Sequence, residues 1–145
     1  MKIAFFGTPR FAQIVLEKLI DSPFKPELAI TAPDKKVGRG QKLQSSPVKQ
    51  TAAKNNIRVV HLSRSLLERL KGIDLAILVA YGKIIPRDIL STPKYGFLNV
   101  HPSLLPKYRG PSPIQTAILD GEEKTGVTIM LLDKEIDHGP ILAQS

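Results

Sequence analysis

The sequence predicts an α/β fold: a Rossmann-like, mostly parallel twisted sheet with helices on both faces, forming a single domain over residues 1–145. Three observations predict it. The chain opens as strand, helix, strand: an apolar run over 2–6, helix-period residues, then a second apolar run over 27–31. Leu75-Ala76-Ile77-Leu78-Val79-Ala80 is apolar without alternation, the pattern of a central strand covered on both faces. Gly96-Phe97-Leu98-Asn99-Val100-His101 reads as a strand that runs into a loop, kept from becoming a helix by Pro102, Pro106, Gly110, Pro111 and Pro113.

The elements follow in order. The strand over 2–6 stops at Gly7-Thr8-Pro9, where Pro9 suits the first turn of a helix and Thr8 its N-cap. Phe11, Val15, Leu16 and Leu19 recur at helical spacing, and Asp21-Ser22-Pro23 ends that helix. With the strand over 27–31 this makes a βαβ unit, which demands a parallel pair and a right-handed crossover. Residues 32–46 read as a long polar loop, a length that in compact domains usually serves function. Pro47 opens a helix to about Asn55, residues 58–61 make a short third strand, and Leu66, Leu67 and Leu70 mark a short helix closed by Gly72. The central strand ends at Tyr81-Gly82, and a helical turn follows over 86–90. Beyond the proline-rich loop come a helix over 113–120, a β-rich stretch over 125–132, a polar loop over 133–139 and a last strand over 140–143.

Composition narrows the classes of function. Hydrophobic content of 42% and charged content of 23% are those of an ordinary globular protein. Cysteine is absent, so disulfide and thiolate chemistry are excluded, and a cytoplasmic location is expected. The N-terminal apolar run is too short for a signal peptide, and no stretch approaches the roughly 20 apolar residues that span a bilayer. Net charge is +8, and its placement matters more than its size. Between Pro33 and Arg58 seven basic residues (Lys35, Lys36, Arg39, Lys42, Lys49, Lys54 and Arg58) face one acid, Asp34, a local excess of +6. A clustered positive field favours phosphate-rich partners. The dinucleotide fingerprint is missing after Gly7, and Gly38-Arg39-Gly40-Gln41-Lys42 lacks the Walker pattern, which counts against a nicotinamide enzyme and a P-loop.

Along a strand alternate side chains share a face, so Asn99 and His101 point the same way at a strand's C-terminal end. Ligands of open α/β sheets bind beyond such ends. Tyr81-Gly82, Asn99 with His101, and the 133–139 loop with Asp137-His138-Gly139 are expected to converge there. A carboxylate from Asp137 would orient the imidazole, and the Asn99 amide would stabilise an oxyanion. With no Cys, no G-x-S-x-G elbow and no metal-ligand cluster, such a site suits attack by a substrate amine.

Several motifs together resemble one family. Asn99-Val100-His101-Pro102-Ser103-Leu104-Leu105-Pro106-Lys107-Tyr108-Arg109-Gly110, then Pro113-Ile114-Gln115, Thr125-Gly126-Val127-Thr128-Ile129-Met130 and Asp137-His138-Gly139-Pro140 look like the formyltransferases that use 10-formyltetrahydrofolate. That resemblance covers the whole chain and implies that Asn99, His101 and Asp137 are catalytic. It implies a folate donor lying against Val79, Ala80, Tyr81 and Gly82, against Ser103, Leu104, Leu105 and Pro106, and against the loop before Asp137, with Tyr81 offered as a stacking ring. The opening Ile3-Ala4-Phe5-Phe6-Gly7-Thr8-Pro9, with Gly38-Arg39-Gly40-Gln41-Lys42-Leu43 and Ser46-Pro47-Val48-Lys49, is similar to the members that formylate initiator methionyl-tRNA. In them the basic loop reaches the tRNA acceptor arm, so Lys36, Arg39, Gly40 and Lys42 are the expected tRNA contacts. Members are about twice this length, with a further helix and a separate C-terminal barrel. The chain is therefore expected to be the N-terminal catalytic part, a monomer without a metal. Two other activities stay open: formylation of a sugar-nucleotide amine or glycinamide ribonucleotide, and folate or RNA binding without turnover.

Overall fold

The apolar run at the N-terminus forms strand β1 (Ile3–Gly7), buried along its whole length. In the computed structural model, which describes residues 1–133 and 137–145, helix α1 (Arg10–Ile20) returns antiparallel to it and β2 (Leu28–Ile30) pairs parallel with it. The helix α2 (Pro47–Lys54) precedes β5 (Arg58–Val60), and α3 (Leu66–Leu70) precedes β6 (Leu75–Val79). After α4 (Arg87–Leu90) come β7 (Phe97–His101), α5 (Pro113–Leu119), β8 (Thr128–Leu131) and β9 (Ile141–Gln144). The main sheet runs β5-β2-β1-β6-β7-β8-β9. Its first five strands are parallel; β8 and β9 are antiparallel additions at one edge. The expected mostly parallel sheet is what forms, and β6 lies at its centre.

Strand alternation divides the core between the two faces. Ile3 and Phe5 join Ala12 and Leu16 of α1 and Val48 and Ala52 of α2. Ala4 and Phe6 join Leu66 and Leu70 of α3 and Ile89 of α4 on the opposite side. Helices thus cover both faces. Gly7 ends β1 because a side chain there would meet the Ala12 Cβ at 2.7 Å and the Phe5 ring at 2.8 Å. This close approach brings the start of α1 down onto the strand end.

Two expectations are corrected here. Residues 32–46 are not a featureless loop: β3 (Lys35–Val37) and β4 (Lys42–Gln44) pair as an antiparallel hairpin. Its side chains are all exposed, so no apolar alternation marks it in the sequence. Thr8 does not cap α1. Pro9 occupies the N-cap, its carbonyl accepting from Gln13 N–H at 3.1 Å, while the Thr8 hydroxyl donates to the Tyr81 carbonyl at 3.1 Å. A tertiary partner at the end of β6 takes the hydroxyl that a helix end would otherwise use.

Candidate active site

Strand β7 delivers Phe97, Asn99 and His101 to one face, all buried, while Leu98 and Val100 lie half-buried on the other. Asp137 reaches them from the turn before β9. Its Oδ1 accepts from the Asn99 amide at 3.2 Å and lies 3.6 Å from His101 Nδ1. Its Oδ2 accepts from Gly110 N–H at 2.8 Å, and Arg109 Nε donates to its carbonyl at 3.1 Å. The three side chains are 5–8% exposed, so the carboxylate sits in a site largely closed to water. It is satisfied by donors from two other segments of chain, as a buried charge requires.

The ring of His101 is fixed at its other nitrogen. Nε2 lies 2.8 Å from the Tyr108 carbonyl, which can only accept, so Nε2 carries a proton and Nδ1 faces Asp137. The loop over 103–110 therefore acts as a strap on both groups, through Tyr108 on the imidazole and Gly110 on the carboxylate. It is itself pegged from behind. Thr128 Oγ1 donates to Ser103 O at 2.7 Å and accepts from Leu105 N–H at 3.1 Å, and Gln144 donates to Leu105 O at 2.9 Å. Ala80, Tyr108 and Asp137 are held at φ of +43°, +57° and +53°. Side-chain-bearing residues keep such backbone only where their surroundings over-determine it. Gly139 lets the Asp137 turn fold back, since a Cβ there would run into the Leu131 carbonyl of β8.

The residues expected at a folate fall into two groups. Leu104, Pro106, Ala80 and Gly82 are exposed at this end of the sheet. Val79 and Leu105 are buried, and Ser103 is fully buried with its hydroxyl donating to the Lys107 carbonyl at 2.7 Å. Tyr81 is a correction: its ring is 3% exposed and packs edge-on against Phe6, centroids 5.6 Å apart, so it is not free to stack on a ligand. The left-handed Ala80 explains this. Strand alternation would send Tyr81 to the side of Val79, but the turn at Ala80 swings it into the opposite core. Burial pushes its hydroxyl up from the usual tyrosine range. The expected contact through the loop before Asp137 falls on 134–136, outside the described residues.

A cavity of about 450 Å³ opens at the ends of β1, β2 and β6, lined by Thr8, Pro9, Ala32, Asp34, Ala80 and Gly82 among others, but by none of Asn99, His101 and Asp137. Strand order reverses between β1 and β6, the position where open α/β sheets bind ligands. The hairpin stands over its rim. The expected tRNA contacts are all exposed, but the register separates them: Lys36 shares a face with Leu43, whereas Lys42 shares the other with Val37. Arg39 and Gly40 lie in the connecting turn. At the hairpin's base Lys49 Nζ pairs with Asp34 at 2.8 Å and holds that carboxyl below its ordinary value, while the Thr31 and Ser46 hydroxyls meet at 2.7 Å.

A model of the formyl transferase family matches residues 1–145. The chain belongs to that family. It is 50% identical to the methionyl-tRNA formyltransferase of Caldicellulosiruptor saccharolyticus, over 99% of this chain and 49% of that protein, and 46% identical to that of Thermotoga maritima, over 99% and 48%. The chain thus spans about half the length of the curated relatives it matches. Among solved formyl transferases, the phosphoribosylglycinamide formyltransferase of Bacillus halodurans superposes with a TM-score of 0.79 at 27% identity, covering all of this chain and 78% of that one. An N-formyltransferase from Helicobacter canadensis, in complex with folinic acid and dTDP-3-aminofucose, gives 0.71 at 28%, covering all of this chain and 52% of that one.

Sequence reasoning missed Thr128, Tyr108 and Gly110 as supports of this cluster. Thr128 lies opposite His101 in the antiparallel β7–β8 pair and so shares its face, a register that only the fold supplies. The Tyr108 carbonyl and Gly110 N–H had no signal, because every residue type but proline supplies both groups.

Proposed function

We propose that this chain is the catalytic part of an enzyme that moves the formyl group of 10-formyltetrahydrofolate to the α-amino group of methionyl-initiator tRNA. The observation that carries the reading is the meeting of Asn99, His101 and Asp137 at the end of β7. An amide, an imidazole and a carboxylate suit direct transfer to an amine: one group for developing negative charge, two for the proton.

The exposed apolar rim of Leu104 and Pro106 beside buried polar groups fits a flat ring system carrying a reactive carbonyl. Those residues, with the backbone of Ala80 and Gly82, would hold the folate, which supplies the activated formyl group when bound. Asn99 has two amide hydrogens and spends one on Asp137, so the second is left for the carbonyl oxygen that gains charge as the amine attacks. Asp137 accepts the amine's proton, directly or through water, and His101, its tautomer set by Tyr108, would take that proton on its free Nδ1 and relay it to the donor nitrogen whose bond to the formyl carbon breaks. Lys36, Arg39, Gly40 and Lys42 on the projecting hairpin engage the phosphates of the acceptor arm. The relatives at 45–50% identity, named methionyl-tRNA formyltransferases, support this acceptor.

A second reading, formylation of a sugar-nucleotide amine or glycinamide ribonucleotide, draws on the whole-chain likeness to solved enzymes of those kinds. An exposed basic hairpin has no task with so small an acceptor. Single-turnover transfer from 10-formyltetrahydrofolate to methionyl-tRNA, to an amino-sugar nucleotide and to glycinamide ribonucleotide separates the readings. Formyl-methionyl-tRNA is the expected product; transfer only to a small acceptor overturns the choice, and none at all leaves a binding fragment.

A further inference from the structure

Tyr108 gives the imidazole its orientation from an unusual backbone conformation, so something must hold Tyr108. Its carbonyl accepts a hydrogen bond from His101 Nε2–H while its own φ is +57°. Its hydroxyl donates to Glu122 Oε1 at 2.7 Å, and the same oxygen accepts from Lys107 Nζ at 2.8 Å. One carboxylate oxygen therefore gathers two consecutive side chains of the strap. Glu122 has a fixed base to pull from: it follows the end of α5, where Gly121 turns left-handed at φ +68° and Glu122 N–H returns to the Ala117 carbonyl at 3.0 Å.

The rest of the strap is held elsewhere, by Thr128 and Gln144 at 103–105 and by Asp137 at 109–110. The middle is tied at the Lys107 carbonyl by the Ser103 hydroxyl, and the Tyr108 side chain, next to the carbonyl that matters to His101, is tied down by Glu122. The charges agree with the geometry. Lys107 first and Tyr108 second hold the Glu122 carboxyl below its ordinary value, and Glu122 is the main cause that raises the Tyr108 hydroxyl.

We propose that Glu122 is a positioning residue for the transfer step, acting through the side chain of Tyr108 to fix the carbonyl that sets the tautomer and orientation of His101. This rests on the reading of His101 as part of the transfer site. Three variants test it: Glu122→Ala, Glu122→Gln and Tyr108→Phe. Each is followed by transfer kinetics and by ¹⁵N–¹H spectra of the His101 ring. Glu122→Ala is expected to lower kcat by roughly ten- to a hundredfold, the scale of a small misplacement of a reacting group, with KM for donor and acceptor within about twofold. The His101 Nε2–H signal should give way to a mixture of tautomers. Glu122→Gln, whose amide oxygen still accepts from the hydroxyl, should restore kcat to within roughly threefold of the original and recover the single tautomer. Tyr108→Phe should match Glu122→Ala, and the double variant should be no worse than either. Unchanged kcat with an unchanged His101 ring overturns the proposal, and so does a loss expressed in KM alone. Should Glu122→Ala not fold, Tyr108→Phe decides, since it removes one hydroxyl. If the parent protein transfers no formyl group, the functional reading fails, and the spectra still decide whether Glu122 orients His101.

Discussion

The end of β7 and the 35–44 hairpin are built on opposite terms. At the strand end Asn99, His101 and Asp137 are buried, and each meets at least one partner from a distant segment. On the hairpin every strand residue is exposed, and order comes from the β3–β4 pairing and from tethers at its base. Under the proposed function the difference follows from what each would have to do. Moving a one-carbon group needs donors and acceptors fixed to a fraction of an ångström before the reactants arrive. Holding a phosphate backbone needs charge that can follow its partner, and long solvated cations do this without a rigid frame.

The largest effect should come from the buried end. Asp137→Asn keeps the size of the side chain and removes its capacity to take a proton. Single-turnover transfer is expected to fall by about 10²–10⁴-fold, with donor affinity little changed. A variant within about tenfold of the parent would break the assignment of Asp137 as the proton acceptor.

Next is stability. Thr128→Val strips the hydroxyl that serves Ser103, Leu105 and Gln144, leaving buried backbone groups of the strap without partners. Urea unfolding should show a loss of about 1–3 kcal/mol. Leu43→Ala on the hairpin, at a side chain 71% exposed, should stay within about 0.5 kcal/mol. Equal losses would erase the contrast between the two regions.

A third measurement separates capture from chemistry. Replacing Arg39 and Lys42 together by Ala should raise KM for tRNA and reduce the slope of log affinity against log salt by about one per cation removed. The rate at saturating tRNA should hold. A fall in that rate with unchanged affinity would instead place the hairpin in the catalytic step.

The smallest effect concerns acid. The Asp34 carboxyl is held below its ordinary value of 3.8, chiefly by its hydrogen bond from Lys49. A depressed carboxylate contributes to the folded state above its unfolded value, and that contribution is lost as pH falls through the lower folded value. Backbone amide shifts of 35–44 should therefore move with a midpoint below 3.8, and Lys49→Ala should return the midpoint toward it. A midpoint that ignores Lys49 would show the hairpin is not tethered there.

Much of the frame was legible because its causes are local. The runs at 3–6 and 75–79 bury both faces, so their apolar character needs no neighbour to be read, and proline and glycine mark most boundaries. Asn99 and His101 share a face by strand geometry alone. The hairpin escaped notice because its short strands are exposed on both sides, show no apolar alternation and are joined by a glycine-rich turn. Thr8 was misplaced because its hydroxyl answers to the Tyr81 carbonyl, 73 positions away in the chain, and Tyr81 because the left-handed Ala80 breaks the strand alternation before it.

By itself the sequence determined the succession of strands and helices outside the 35–44 hairpin, the parallel core and the residue types able to handle an amine and an oxyanion. Periodicity and side-chain chemistry are properties of short stretches. Only the tertiary structure decided that Asp137 meets Asn99 across 38 positions, that Tyr108 offers a backbone carbonyl to His101, and that Glu122 holds Tyr108. Those contacts depend on where separate segments come to rest, and one of the groups involved, the Tyr108 carbonyl, belongs to the backbone and leaves no trace in the letters.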